Sequence, residues 1–402
     1  MKLLKKIQLG YLKNFESILY LTIFSIFFIP LKLYIPLFGI NILLVLTLLL
    51  TGELRLNLSK WQISIILFMI WSIINSSLAM FIFKTDISIG TLVKLNLNMA
   101  FLLSASIVLQ HRKISINKEK LINFLEFIII INFIQIILIY ILGGLVGMLF
   151  SNALMQSSDS AYAISSYYNV IGASNKNIWA AKFAFIYIIY IYLTSSENIK
   201  LNKIRKVIHI IIGLITTFLL LSRTAQIAII LPLLFIIFYS IRNINYKYKI
   251  IIYVIFSVLS IFAGVVLFNK FFHIKFDMTD GGYTRLYIWV EAIKNIWKSH
   301  WITGNGIGYS EYFIQTVVGR TESNLHNVYL NIFFEMGLMG IGAYISFLVF
   351  YFKEIINKSN IVKVIFTLLI PFGVITMLQY LGFDNDIVMF FILILVYNKC
   401  ER

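Results

Sequence analysis

The feature that most limits what this chain can fold into is a succession of apolar runs, each about 20 residues long and nearly free of charge. Twelve can be placed, near 15–31, 34–51, 61–83, 90–109, 121–148, 177–194, 204–221, 225–241, 248–270, 327–352, 361–380 and 384–398. A run of that length, wound as a helix, crosses the hydrocarbon core of a bilayer, where only helices and closed barrels satisfy every backbone polar group. Hydrophobic residues make up 60% of the chain and charged residues 13%, against about 25% charge in soluble proteins. The expectation is an all-α polytopic membrane protein of about twelve transmembrane helices, with residues 1–402 as a single membrane domain. No small-x-small cleavage site follows Phe27-Phe28-Ile29-Pro30, so the first run reads as a retained span. Cys400 is the single cysteine and rules out an intrachain disulfide; no Cys/His cluster argues for zinc.

Charge orients the spans. With the amino terminus in the cytoplasm, 22 of the 34 basic residues fall in short inner segments, leaving the two sides at +15 and +2. That asymmetry is the positive-inside pattern. It accounts for the net charge of +17 without nucleic acid as a partner, and places both termini in the cytoplasm. Two connections exceed a tight turn, both on the extracytoplasmic side: a first loop at 149–176 and a large loop at 271–326 between spans 9 and 10. Long loops in compact proteins are usually functional or disordered. The second loop contains an amphipathic helical pattern, Leu286, Trp289, Val290, Ile293, Ile296 and Trp297 against Glu291, Lys294 and Lys298. In the first, Tyr162, Tyr167 and Tyr168 offer rings on which sugars can stack.

Polar groups near hydrocarbon are expensive, so each needs a partner or a task. Arg223, at the turn between spans 7 and 8, reads either as a snorkelling side chain bonded to helix carbonyls or as an anion site backed by the first amides of span 8. Arg285 opens the loop helix, as a solvated charge or a second phosphate clamp. His326, just before span 10, is structural or a general base, with a pKa expected near neutrality. Glu335 lies about 13 Å further along span 10 and on its other face; the spacing favours a structural ion pair, with Lys182 as partner. Asp384-Asn385-Asp386 reads as the amino-terminal cap of the last span.

Three segments in order, Gly304-Asn305-Gly306-Ile307-Gly308, Asn324-Leu325-His326-Asn327-Val328-Tyr329-Leu330 and Glu335-Met336-Gly337-Leu338-Met339-Gly340, resemble the signature of the O-antigen polymerase and ligase superfamily. Ser222-Arg223 and Arg285-x-x-x-Trp289 match further positions, and Asn175-x-Asn177 more loosely. The resemblance implies a membrane glycosyltransferase of the bacterial cytoplasmic (inner) membrane, which polymerises O-antigen or capsular polysaccharide from polyprenyl-diphosphate-linked repeat units. Transfer would be inverting and independent of metal or other cofactor. On that reading Arg223, Arg285 and His326 are catalytic, while Asn324, Asn327, Asn177 and the three loop tyrosines bind substrate. The expected partners are the lipid-linked glycan, the bilayer, a chain-length regulator and a flippase. Two alternatives stay open: a ligase that moves the finished chain to lipid A core, and a lipid-linked oligosaccharide flippase. A transporter is expected to show internal repeats with intramembrane charges at corresponding positions, and spans 1–6 and 7–12 share no motif.

Overall fold

The computed structural model describes residues 2–29, 31–111, 114–142, 176–195, 202–241, 281–298, 300–379 and 382–400. Every regular element among them is helical. Among the described residues six helices are long and apolar enough to cross a bilayer, so the chain is a multi-pass membrane protein. In chain order the helices are α1 (Lys2–Lys13), α2 (Phe15–Phe28), α3 (Leu31–Leu50), α4 (Lys60–Leu78), α5 (Ile89–Gln110), α6 (Lys118–Leu142), α7 (Lys176–Thr194), α8 (Lys203–Leu219) and α9 (Arg223–Ile241). Then come α10 (Gly281–Ile296), the short α11 (Tyr309–Phe313), α12 (Val328–Ile356), α13 (Ile361–Val364), α14 (Ile370–Leu378) and α15 (Asn385–Cys400). π-helical turns extend α4 through Ala79–Phe83 and α11 through Ile314–Val318, and join α13 to α14 through Ile365–Leu369. The expected run at 248–270 and most of the first loop lie outside the described residues.

Two helices form the interior. From Ile387 to Ile394, α15 is wholly buried, and α7 is buried over most of Trp179–Leu193. Both are apolar right round, as helices enclosed by others must be. Their few polar groups are paired: Trp179 donates to Asn132 of α6, and Tyr190 donates to Glu126 at 3.1 Å, which also accepts from Arg205 Nε at 2.8 Å. The most extensive pairing joins α4 to α12. There Trp61 meets Tyr351 edge-on at 5.3 Å and Phe68 meets Tyr344 at 5.5 Å. Helix α9 packs along α14 and α7.

Three expectations are corrected. Lys182 does not reach Glu335; it pairs with Asp386 at 3.4 Å and donates to the Ile26 carbonyl at 3.2 Å. The Asp384 and Asp386 carboxylates, expected as part of a helix cap, form ion pairs instead: Asp384 with Lys94 and Asp386 with Lys182, tying α5 and α7 to the start of α15. Finally, α10 is apolar on two sides. Ile288, Ala292 and Ile296 are buried with Phe313, Ile314, Leu325 and Phe334, whereas Leu286, Val290, Ile293 and Trp297 are 51%, 41%, 51% and 65% exposed. The expected single stripe merged positions that the fold divides between a small satellite core and the outside.

Candidate functional site

The site rests on a break in α12. Gly337 has φ 66° and ψ −167°, a combination essentially confined to glycine. A break there strands backbone groups, and about 13 Å into a span they must be satisfied by protein. They are. The carbonyls of Phe334, Glu335 and Met336 accept from Asn305 Nδ2 (2.8 Å), the Gly306 amide (2.9 Å) and Trp71 Nε1 (2.8 Å). The Leu338 amide donates to the Trp301 carbonyl at 2.9 Å. A Cβ on Gly304 would collide with the Glu335 carbonyl, and one on Gly337 with the Ile302 carbonyl. The Gly-x-Gly-x-Gly and Glu-x-Gly segments, about thirty residues apart, are thus two halves of one backbone clasp. Glu335 belongs to it: its Oε1 accepts from the Ser310 amide at 3.3 Å, and no cation pairs with it among the described residues. The far side of the loop is held by Thr85, which donates to the Asn305 carbonyl (3.0 Å), and by Ser88, whose amide donates to the Ile307 carbonyl (2.7 Å).

The clasp fixes the start of α12, and with it the connection that carries His326. Leu325 is fully buried and held at both ends of its peptide unit. Its amide donates to Asn331 Oδ1 at 3.2 Å, and its carbonyl accepts from Trp289 Nε1 of α10 at 2.6 Å. His326 follows with φ 52°, a left-handed conformation uncommon outside glycine. Asn324 Oδ1 accepts from the His326 amide at 2.9 Å, and Asn327 Oδ1 caps α12 by accepting from the Leu330 amide at 3.0 Å. Both asparagines therefore orient the histidine and the helix. Tyr329 bonds Thr376 of α14 at 3.0 Å, closing the connection against that helix.

Helix α10 brings Arg285 toward the same connection, since Trp289, one turn further along, holds the Leu325 carbonyl next to His326. Arg285 Nη1 donates to the carbonyl of Leu378, the last residue of α14, at 2.9 Å. Burial lowers the Arg285 pKa, but an arginine starts so high that it stays charged. Burial and that nearby charge pull His326 down to about 4, and Glu322 opposes them. The imidazole is therefore neutral at pH 7, well below the near-neutral value expected from sequence. Glu322 is the residue the sequence reading passed over. Only its position four before His326, in a connection otherwise poor in acids, could have drawn attention to it.

Arg223 is the first residue of α9 and is exposed, immediately after the buried Ser222. Leu221 takes a left-handed turn with φ 52° that separates α8 from α9 and leaves the first amides of α9 without helical partners. Asn177 lies half-buried in the first turn of α7. Tyr162, Tyr167 and Tyr168 lie outside the described residues.

Residues 208–345 match the model of the O-antigen ligase family. That stretch is similar to the O-antigen polymerase and ligase superfamily, which supports the likeness read from the sequence. The matched stretch begins within α8, ends within α12, and contains Arg223, Arg285, Glu322, His326 and both halves of the clasp. Asn177 and the ion pairs at the start of α15 fall outside this O-antigen ligase match. No curated protein matches the chain. The family points to a membrane glycosyltransferase-like enzyme of O-antigen-related polysaccharide synthesis.

Proposed function

We propose that the protein is a polysaccharide polymerase of the cytoplasmic membrane, joining polyprenyl-diphosphate-linked repeat units on its extracytoplasmic side. The observation that carries this reading is the geometry at the carboxyl end of α14, where Arg285 Nη1 donates to the Leu378 carbonyl and Trp289, one turn on along α10, holds the Leu325 carbonyl beside His326. In the acceptor repeat unit a sugar hydroxyl gives its proton to an imidazole nitrogen of His326. Its oxygen attacks the anomeric carbon of the donor opposite the diphosphate, inverting that centre. The bond from that carbon to the diphosphate oxygen breaks, and the electron pair leaves with the polyprenyl diphosphate. Cations stabilise the departing charge, and a positioned base removes the proton.

A neutral imidazole with a pKa of about 4 is a weak base at pH 7, yet one of the forces lowering it is the Arg285 charge. A diphosphate held on Arg285 cancels that charge and raises the basicity of His326, so donor binding itself prepares the base. In an antiparallel packing of α9 on α14, the Arg223 end of α9 lies at the Leu378 end of α14. Arg223 and the first amides of α9 then supply further positive potential for the same diphosphate.

The second reading is a ligase that moves the finished chain to lipid A core, an activity that the matched family's description names. The glycan of a deletion strain separates the two. A polymerase defect leaves surface lipid capped with one repeat unit, whereas a ligase defect leaves bare core with polymer accumulating on the carrier lipid. Normal polymer in both places overturns the glycosyltransferase reading. Arg223→Ala and His326→Ala are each expected to lower transfer by about 10²–10³-fold at normal membrane abundance. Arg223→Lys restores only part, because lysine lacks the planar fork.

A further inference from the structure

Helix α10 is tethered at both ends to transmembrane helices. At its start, Arg285 donates to the carbonyl of Leu378, the last residue of the apolar span Ile361–Leu378. Just past its end, His300 stacks on Phe83 with ring centroids 3.5 Å apart, and Phe83 closes the span Lys60–Phe83. Both span ends lie on the clasp side: Thr85 donates to the Asn305 carbonyl, and Thr376 bonds Tyr329 near the start of α12, each at 3.0 Å. A helix of 16 residues is about 24 Å long. Reaching from the end of one span to the end of another, α10 runs along the membrane surface rather than away from it.

Its side chains divide into three sectors roughly 120° apart. Ile288, Ala292 and Ile296 are buried against the satellite core. Glu291, Lys294, Asn295 and Lys298 form a polar sector, with Lys294 paired to Glu291 at 2.7 Å. The third sector, Leu286, Val290, Ile293 and Trp297, is exposed in one line. Soluble surfaces rarely present such a line of large apolar side chains to water. Its Trp297 end also meets Trp301 at 5.5 Å, directly after the His300 that rests on the span end. Two partly exposed tryptophans therefore sit at the depth where a span leaves the hydrocarbon, the level that tryptophan favours in membrane proteins.

We propose that the Leu286–Val290–Ile293–Trp297 side of α10 is a lipid-contact surface, seated among the acyl chains of the leaflet on the clasp side, with Lys294 and Lys298 at the level of its phosphate head groups. One side on protein, one in hydrocarbon and one in water is the arrangement of an interfacial helix at the rim of a bundle. Lysines beside the apolar line extend their stems over it and keep the charge at the polar boundary. Trp289 of the same helix holds the Leu325 carbonyl at 2.6 Å, so seating α10 in the bilayer also steadies the connection that carries His326. This seating does not depend on the chemistry proposed above.

The test uses the full-length Cys400→Ser protein in phosphatidylcholine–phosphatidylglycerol vesicles, with a nitroxide on one introduced cysteine at a time. Val290→Cys and Ile293→Cys sample the apolar side, Lys294→Cys and Lys298→Cys the polar side. All four positions are exposed, so the label leaves the core intact. Collision with oxygen, which concentrates in hydrocarbon, is compared with collision with a water-soluble nickel chelate. Oxygen should dominate at 290 and 293 and nickel at 294 and 298, so that the ratio reverses between the adjacent Ile293 and Lys294. Nickel dominating at 290 and 293 overturns the proposal, because the line is then solvated. Poor collision with both reagents there also overturns it, and spin–spin broadening would identify a second copy as the cover. Without any label, acyl-brominated phosphatidylcholine should quench Trp297, and Trp297→Phe should lose part of the quenching; quenching that Trp297→Phe leaves unchanged overturns the lipid contact. None of these readouts involves turnover, so failure here is distinct from failure of the glycosyl-transfer reading.

Discussion

His326 is a non-glycine residue held in a left-handed turn, which costs of order 1 kcal/mol or more and persists only where the surroundings impose it. Backbone and imidazole can be separated by substitution. Asparagine tolerates the left-handed region and a β-branched residue does not. His326→Asn is therefore expected to give wild-type membrane yield and thermal stability with activity lost, and His326→Val to lose both. The depressed pKa adds a pH signature. Folded His326 titrates near 4, below the ordinary 6.5, so its stabilising effect is complete above about 6.5 and is lost as pH falls toward 4. Amide exchange in the 320–327 connection should quicken over that window, and His326→Asn should flatten the dependence. At this scale the sequence was partly legible. Arg285 and His326 stand out in the sequence as costly residues, and α10 carries the first toward the connection that holds the second. Glu322 was invisible, because a loop carboxylate gains meaning only when folding removes its water. Lys182 was assigned to Glu335 because depth along a helix does not say which neighbour a side chain faces.

The clasp is the element that joins distant motifs. Its closest approaches are of backbone on backbone, so its sensitivity lies first at glycines rather than at charged residues. Gly337→Ala must relieve a glycine-only conformation, costing about 1–3 kcal/mol, together with a collision at Ile302. The expected result is a lowered melting temperature in detergent and faster proteolysis in the 300–308 loop, with polymer formation falling in step. Trp71→Phe removes the single hydrogen bond to Met336 and should cost about 1 kcal/mol, with weaker loss of function. The order of the three motif segments could be read from the sequence, as could the positions of most helices. That Gly304–Gly308 folds onto Glu335–Gly337 could not, since nothing in either segment specifies a partner about thirty residues away. The two faces of α10 were likewise merged, because periodicity records which residues are apolar and not which of two apolar environments receives them.

At the scale of the whole molecule, the reaction scheme depends on which side of the membrane the clasp faces. The polar elements segregate: Arg285, His326 and the clasp gather at one end of α12, and Lys353 and Lys358 mark the other. From the charge asymmetry the second end is expected in the cytoplasm, and the lone Cys400 makes this directly measurable. In a Cys400→Ser background, Ser323→Cys and Asn357→Cys introduce one thiol each, at exposed positions flanking the two ends of α12. A membrane-impermeant maleimide added to intact cells should label the first and leave the second untouched until the membrane is opened. Converting both acids of the α15 pairs to alanine should not change this pattern, because orientation follows the flanking lysines and arginines rather than buried pairs. If Ser323→Cys were shielded and Asn357→Cys labelled, Arg285 and His326 would face the cytoplasm. Transfer between externally displayed lipid-linked units would then be impossible at this site, whatever the family resemblance.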